Sequence, residues 1–330
     1  MFHEAGAGIV LLGVESVSVS VHIVTYNSSE HIEACLEALM IQTCQADEIV
    51  IVDNQSKDDT LAQLERWRSQ CKIIINAQNK GFAGAHNQAI RGTDTDYCLI
   101  LNPDVVLDRD YIKRIIEALE RNPEAGSATG KLLFKSDPSQ IDSTGLTINK
   151  TRRAFDRGAH EPSERYEQTE EVFGVSGAAA MYKRAMINDI SVNGEFFDED
   201  FFAYKEDVDV AWRAQLRGWK AIYEPMAIAY HERGWKEGGR RSKPLFVRRL
   251  SYINRYKMIW KNDRSSQVMK HVIPIFIYEA VSLGYALLCE PKLLKAWSSF
   301  FRKLPELKEK RKLIQTKRKA ADPDIYKWFI

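Results

Sequence analysis

The sequence predicts an α/β protein with a mainly parallel central sheet and helices on both of its faces. Along the first 120 residues, short apolar runs alternate with segments whose apolar residues recur every three or four positions. The short runs are apolar on both faces, which is typical of strands buried in a parallel sheet. A chain of 330 residues with 45% hydrophobic residues is long enough to bury such a core.

Four strand and helix units are predicted before Pro123. The strands are Val17–Thr25, Glu48–Asp53, Lys72–Ile75 and Tyr97–Leu101. The helices follow from apolar residues at Ile32, Cys35, Leu36, Leu39 and Met40, at Leu61, Leu64 and Trp67, within Asn79–Arg91, and at Ile112, Ile115, Ile116 and Leu119. Ser28 or Ser29 is expected to cap the first helix, and Ser56 to begin a capping box for the second.

After Pro123 the pattern changes to shorter pieces. Thr129–Phe134 and Phe173–Tyr182 are predicted strands around a polar stretch, Ser136–Glu171, that is expected to form loops and a hairpin. The helix Glu206–Arg217 carries a buried stripe, and Gly218 is placed to end it. A short strand is predicted at Ala221–Tyr223.

Composition excludes some classes of protein. Lys and Arg number 47 against 45 Asp and Glu, so a net charge of +2 gives no field that favours nucleic acid. The five cysteines form no Cys-x-x-Cys pair, which favours reduced core residues in the cytoplasm. Residues 1–16 are expected to be a disordered leader, because they have neither the basic start nor the long apolar run of a signal peptide.

Polar residues follow the predicted parallel strands where each one ends. They are Thr25-Tyr26-Asn27, Asp53, Asn79 with Gly81, and Asn102-Pro103-Asp104. Parallel strands bring these ends to one edge of the sheet, where open α/β sheets bind ligands. Each group is also ordinary turn chemistry, and only their alignment favours a site. The first turn lacks glycine and no phosphate-binding P-loop motif is present, which argues against nicotinamide dehydrogenases and P-loop NTPases.

Three further residues are candidates for chemistry. Glu206 and Asp207 begin a predicted helix, where acidic residues either complement the helix dipole or serve as a general base. His231 follows an apolar stretch. It is either structural or completes a divalent-cation site with Asp104.

Taken together, these motifs resemble those of the family 2 glycosyltransferases of GT-A fold, especially the bacterial rhamnosyltransferase-like branch. The resemblance runs from Val17 to Lys261 and rests on five motifs in order: Val19–Asn27, Val52–Asp58, Asn79–Asn87, Leu101–Asp108 and Tyr204–Asp209 with Arg213 and Gly218-Trp219. It implies an inverting glycosyltransferase with a nucleotide-sugar donor and bound Mg²⁺ or Mn²⁺.

The resemblance also implies roles for individual residues. Asp104 matches the last acid of the family's Asp-x-Asp metal motif, which here begins with Asn102 instead of Asp, and His231 is expected to complete the metal site. Asp207 matches the catalytic base, with Glu206 as the alternative. The donor nucleotide is expected to bind at Thr25, Tyr26, Asn27, Asp53, Asn79, Gly81, Asn102, Arg240 and Arg241.

The C-terminal segment predicts attachment to a membrane. Val272–Cys289 is strongly apolar but contains Pro274 and Glu279, so a helix on the membrane surface is favoured over a spanning one. Many basic residues follow it, which favours anionic lipid. A helical hairpin that packs on the catalytic domain or forms a homodimer is the alternative.

The resulting prediction is a catalytic domain at residues 17–262, with a nucleotide-binding half at 17–125 and an acceptor half at 126–262, and a membrane-associating region at 263–330. The predicted reaction moves L-rhamnose from dTDP-rhamnose to a lipid-linked saccharide for surface polysaccharide such as O-antigen, on the cytoplasmic face of the cell membrane. A UDP-hexose or UDP-N-acetylhexosamine transferase is the first alternative. A non-catalytic nucleotide-sugar-binding or membrane scaffold protein is the second.

Overall fold

The computed structural model describes residues 17–233 and 243–330. The strands are β1 (Val19–Thr25), β2 (Glu48–Asp53), β3 (Lys72–Ile75), β4 (Tyr97–Leu101), β5 (Val105–Leu107), β6 (Ala125–Phe134), β7 (Asp137–Ser143), β8 (Leu146–Ile148), β9 (Ala154–Asp156), β10 (Glu170–Val172), β11 (Ala179–Lys183) and β12 (Lys220–His231). The predicted leader and the loop residues Arg240 and Arg241 lie outside the described residues.

The α-helices are α1 (Ile32–Met40), α2 (Thr60–Glu65), α3 (Gly81–Arg91), α4 (Tyr111–Arg121), α5 (Arg184–Ile190), α6 (Glu206–Arg217), α7 (Leu245–Asn262), α8 (Ser265–Lys270), α9 (Val272–Cys289), α10 (Ala296–Thr316) and α11 (Asp322–Tyr326). Short 3₁₀ helices cover Glu199–Phe201 and Pro291–Lys295.

One large mixed sheet organises the fold. Over the described ranges its main path has the order β10-β12-β6-β11-β4-β1-β2-β3, with β5 beside β12 and β7 beside β6. The neighbours β4, β1, β2 and β3 are parallel, while β11 is antiparallel to both β4 and β6. The α/β fold with helices around a central sheet is therefore confirmed, and β11 marks where the parallel half of the sheet ends.

Strand β12 is longer than the sequence predicts. It continues past Pro225 to His231, with a shift of register against β6 between Glu224 and Ile228. Proline has no N–H to donate to the ladder, so the strand bulges there and then resumes. This continuation carries His231 to the strand end, opposite Val105 of β5.

The predicted serine caps are wrong. Helix α1 begins after His31 and α2 after Asp59, and neither residue makes a side-chain cap. Ser28 instead accepts from the Tyr26 N–H, and Ser56 donates to Asp53. Both serines therefore stabilise the loops at the sheet edge.

Helix α6 joins the sheet to the C-terminal helices. Trp212 is fully buried in one apolar cluster with Met258 of α7, Ile314 of α10 and Phe329 near the C-terminus. The helix ends at Gly218, whose φ of +88° lies in the left-handed region that glycine favours. The C-terminal helices thus share a core with the helix that begins at the candidate base.

Candidate functional site

The parallel strands bring the predicted edge residues together. Thr25 pairs with Asp53 across β1 and β2, and Ile23 pairs with Leu101 across β1 and β4. Asn102 therefore leaves the sheet at the same edge as Thr25 and Asp53. This arrangement is the one that the alternating pattern predicts.

The Asp53 side chain forms its hydrogen bonds inside the protein at this edge of the sheet. The side chain is fully buried, and it accepts hydrogen bonds from Thr25 Oγ1 at 2.9 Å, from Ser56 Oγ at 2.5 Å and from the Ser56 N–H at 3.0 Å. The exposed groups here are Tyr26, 53% accessible, and Asn27, whose amide oxygen accepts from the Lys57 N–H. Asp53 thus shapes the edge on which Tyr26 is displayed.

Asn79 and Gly81 form a turn that supports the next segment. Asn79 accepts from the Gly81 N–H at 2.7 Å, and Gly81 has a φ of +73°. A Cβ atom on Gly81 would lie 2.3 Å from the carbonyl oxygen of Phe202. Only glycine fits this position, because both the backbone angle and the close approach exclude a side chain.

A cavity of about 760 Å³ lies between this edge and the C-terminal helices. Five predicted site residues line it: Asn102, Asp104, Glu206, Asp207 and His231. Its far wall comes from α7 and α9 and includes Arg255, Tyr256, Tyr278 and Ser282. The predicted residues Thr25, Tyr26, Asn27, Asp53, Asn79 and Gly81 are not among the lining residues. The structure thus gathers the metal and base candidates and leaves most of the nucleotide candidates beside the cavity.

Asp104 and His231 face each other in this cavity. His231 Nε2 lies 3.4 Å from Asp104 Oδ1, an oxygen that is buried and has no hydrogen-bond partner in the described ranges. His231 Nδ1 lies 2.8 Å from Asp142 Oδ2, and Asp142 is fully buried in β7. Burial lowers the pKa of His231, but the two carboxylates outweigh it and raise that pKa to about 9.

These residues fit a divalent cation. His231 Nε2 faces Asp104 Oδ1, and a cation that bound between them would displace the proton that the raised pKa keeps on the ring. Asp142 orients the ring as outer carboxylates do for histidine ligands. Among the described residues no group of three or more His, Cys, Asp or Glu side chains is arranged for a metal. Mg²⁺ commonly takes one or two protein carboxylates and fills its shell with substrate phosphates, so two protein ligands suit a metal that arrives with a nucleotide.

Sequence reasoning missed Asp142 and the arginine beside it. Arg233 contacts Asp142 and also reaches Asp156 Oδ2 at 2.5 Å. Asp142 stands in a stretch that was predicted to be loop and hairpin, and no motif marks it. The one signal in the sequence is that Asp142 is an acidic residue directly after Ile141, in a short run that resembles a strand.

Glu206 and Asp207 differ in their surroundings. Glu206 is 7% exposed and its Oε2 has no partner in the described part of the chain, whereas Asp207 is half-buried and accepts from the Val208 N–H at 2.8 Å and from the Gly177 N–H at 3.4 Å. Burial raises the pKa of both carboxyls, and for Glu206 the adjacent Asp207 adds to this and brings the pKa to about 8. Only Asp207 accepts hydrogen bonds from two other residues, which favour its ionised form.

The segment before Glu206 is strained and held from α7. Phe202, Tyr204 and Lys205 all have positive φ, at 61°, 72° and 75°. Asn254 Nδ2 lies within 3.0 Å of the carbonyl oxygens of Phe201, Ala203 and Tyr204. Backbone in this region costs about 1–3 kcal/mol per residue, so the contacts from α7 keep the start of α6 in place.

Comparisons with known proteins find similar sequences and similar folds. A profile described as "Glycosyl transferase family 2" matches residues 20–191. The poly-beta-1,6-N-acetyl-D-glucosamine synthase of Staphylococcus aureus (strain COL) is 27% identical over 207 residues, which are 62% of this chain and 47% of that protein. This chain therefore spans about half the length of the curated relatives it matches.

Solved structures share the fold. TarS 1-349 of S. aureus in complex with UDP-GlcNAc superposes with a TM-score of 0.56 and 18% identity, over 85% of this chain and 78% of that one. A mannosyltransferase from Pyrobaculum calidifontis in complex with GDP-Man and Mn²⁺ gives a TM-score of 0.54 and 19% identity, over 88% and 75%.

Proposed function

Since the chain belongs to glycosyl transferase family 2, we propose that it transfers a sugar from a nucleotide sugar to a hydroxyl of a saccharide acceptor, with inversion at the anomeric carbon. The observation that carries the proposal is the meeting of Asp104 and His231 with Asp207 in one cavity. A base on the acceptor side and a cation site on the donor side are the two things that this reaction requires.

The donor that the relatives favour is a UDP-linked N-acetylhexosamine. One curated relative is named for a polymer of N-acetyl-D-glucosamine, and a solved relative carries UDP-GlcNAc. The relatives give no support to the rhamnose that the sequence motifs suggest. Transfer of an N-acetylhexosamine from UDP is therefore the main reading, and dTDP-rhamnose is the second donor to test.

Asp207 acts as the base in this proposal. Its carboxylate takes the proton of the acceptor hydroxyl while that oxygen forms the bond to the anomeric carbon and the bond to the nucleoside diphosphate breaks. Glu206, with a pKa of about 8, carries its proton at neutral pH. A neutral Glu206 leaves Asp207 as the proton acceptor and limits the negative charge beside an anionic donor.

The donor side is suited to a divalent cation, which would stabilise charge on the departing diphosphate when bound. Asp104 would hold it together with His231, whose ring proton would leave as the cation binds, and Asp142 would keep the imidazole in position. The mannosyltransferase of similar fold was solved with Mn²⁺, which favours that ion or Mg²⁺. Tyr26, exposed at the same sheet edge, would lie against the nucleotide.

The acceptor is proposed to be a saccharide in cell-surface polysaccharide synthesis, in line with the named product of the curated relative. The cavity wall opposite the base offers Tyr256 and Tyr278 together with Arg255. Arg255 lies 4.7 Å from the Tyr278 ring centroid. Aromatic faces beside a polar cation suit the apolar faces and hydroxyls of a sugar ring.

A donor screen followed by two matched variants tests the proposal. Purified protein with Mn²⁺ is titrated with UDP-, dTDP- and GDP-sugars, and binding is followed by thermal stabilisation and slow donor hydrolysis. We expect Asp207→Asn to lower transfer by about 10²–10⁴-fold with donor binding retained. Glu206→Gln, which keeps the neutral form, is expected to retain most transfer. Loss of transfer in Glu206→Gln with activity kept in Asp207→Asn would move the base to Glu206. Failure to bind any donor would refute both the transferase and the nucleotide-sugar-binding scaffold, and would leave the membrane scaffold.

A further inference from the structure

The unusual feature of the C-terminal region is the apolar outer face of helix α9. Among the described residues, α9 is the one helix that is long and apolar enough to cross a membrane, judged by length and composition alone. Ala286 is its single buried residue. Large side chains with more than half of their area exposed lie along it at Ile273, Phe276, Ile277, Val281, Leu287 and Leu288.

The opposite face of α9 is polar and attached to the catalytic domain. Glu279 accepts hydrogen bonds from Arg255 Nη1 at 2.7 Å and from the Tyr256 hydroxyl at 2.6 Å, both on α7. Tyr278 and Ser282 line the catalytic cavity. These residues recur at the spacing of one helix face, so one face of α9 packs on the protein and the opposite face is exposed.

Both ends of α9 are fixed as well. At its start, His271 Nδ1 lies 2.8 Å from Arg152 Nη1. At its end, Glu290 lies 2.5 Å from Arg248 Nη1 and accepts from the Tyr285 hydroxyl at 2.9 Å. A helix that crossed a bilayer would have to carry Arg255 and Glu279 into the hydrocarbon or break these contacts. The attachments therefore favour a helix that lies flat.

The charges around the apolar face have one sign. Between residues 264 and 303 the carboxylates are Glu279 and Glu290, and both are bound within the protein. Exposed cations stand at either end of α9, at Lys270 before it and at Lys292, Lys295 and Arg302 after it, while Arg264 is paired with Asp322. A surface that is apolar in the middle and basic at its ends is complementary to an anionic bilayer.

We propose that the protein docks on an anionic lipid surface with α9 in the plane of the interface, its apolar face among the acyl chains and its polar face forming the wall of the cavity. The cavity then opens at the lipid surface. An acceptor anchored in lipid would reach Asp207 without leaving the membrane. The docking itself depends only on α9 and its flanking cations and stands apart from the proposed sugar transfer.

Vesicle binding tests the docking without any donor. The full chain is sedimented with vesicles of phosphatidylcholine alone and with vesicles that contain about 30% phosphatidylglycerol. We expect binding to the anionic vesicles, weakened as salt rises from about 0.05 M to 0.5 M. The double variant Lys292→Gln with Lys295→Gln should bind about 25-fold more weakly, since each cation near an anionic surface contributes about fivefold.

A matched pair of substitutions separates the apolar face from general surface effects. Ile277→Glu on α9 should weaken vesicle binding about tenfold or more, because a large apolar side chain is replaced by a charge. Ile41→Glu, at a site 62% exposed against 59% for Ile277, should leave binding unchanged. Both sites are on the surface, so equal thermal unfolding midpoints for the two variants are expected.

The position of α9 can be read from a native probe. Cys289 at the end of α9 is exposed, whereas the other four cysteines are buried, so a polarity-sensitive thiol dye labels it selectively. Its emission should shift to the blue on addition of anionic vesicles. Protein that stays in the supernatant, equal binding by the two isoleucine variants, or a dimer in solution that Ile277→Glu dissociates would each overturn the proposal. The last result would assign the apolar face to a second copy of the chain.

Discussion

Replacing Glu206 with Gln is expected to stabilise the folded protein at neutral and higher pH. The Glu206 carboxyl is buried, with Asp207 and Asp209 as acidic neighbours and Lys205 as the basic one. Burial, with Asp207 second, raises its pKa from 4.5 to about 8. The unfolded chain therefore releases this proton at a much lower pH than the folded protein does.

The sign of the effect follows from proton linkage. Between pH 4.5 and about 8 the folded state holds one proton that the unfolded state has lost, so the free energy of unfolding falls as pH rises, by about 1.4 kcal/mol per unit. Gln has no titrating proton, so this decrease in the free energy of unfolding with pH is absent in the variant. At about pH 7.5 the stability difference between variant and wild type should exceed its value below pH 4.5 by on the order of 4 kcal/mol.

Urea unfolding of both proteins at half-unit steps of pH measures this difference. Glu224→Gln is the matched control, since Glu224 is also buried but lies 3.0 Å from Arg121 and accepts from Thr169. Its substitution breaks an ion pair and should destabilise the protein at neutral pH. Wild-type and Glu206→Gln curves that run parallel from pH 4.5 to 8 would refute the reasoning.

The remaining predictions concern the turn, a buried ion pair and the cation site. Gly81→Ala should lower the free energy of unfolding by about 1–3 kcal/mol, because the new Cβ meets the Phe202 carbonyl; Gly284→Ala, with no atom near its Cβ, should not, and equal urea midpoints would contradict this. Arg152→Met should cost about 3 kcal/mol by the same measurement, since it leaves Asp263 without the partner at 2.8 Å. Asp104→Asn, like chelation of divalent ions, should abolish the Mn²⁺-dependent part of UDP binding in calorimetry, and unchanged Mn²⁺ dependence would argue against Asp104 as a ligand.

The sequence could predict the parallel half of the sheet because strands buried on both faces leave a plain apolar signal. The family resemblance, and not the pattern of strands and helices, assigned Asp104 and Asp207 to one site, and both side chains line the same cavity. The sequence could not predict Asp142, because its partner His231 is 89 residues away and the polar stretch around Asp142 has no periodic pattern. The sequence could not predict the length of β12, because Pro225 lacks a backbone N–H and usually marks the end of a strand. In this protein the strand bulges at Pro225 and then continues.

The position of Asp207, the proposed base, depends on the C-terminal helices as well as on the Gly177 N–H beside the sheet. The left-handed residues Tyr204 and Lys205 would relax if Asn254 of α7 did not hold the carbonyls before them. Helix α7 also holds α9, through the hydrogen bond from Arg255 to Glu279. Helix α7 therefore contacts both the proposed lipid-facing helix and the segment before Asp207. Docking of α9 on lipid would act on α7 through the Arg255–Glu279 contact, and α7 in turn holds the segment that precedes Asp207. The position of the proposed base would then respond to docking at the surface from which a lipid-anchored acceptor enters.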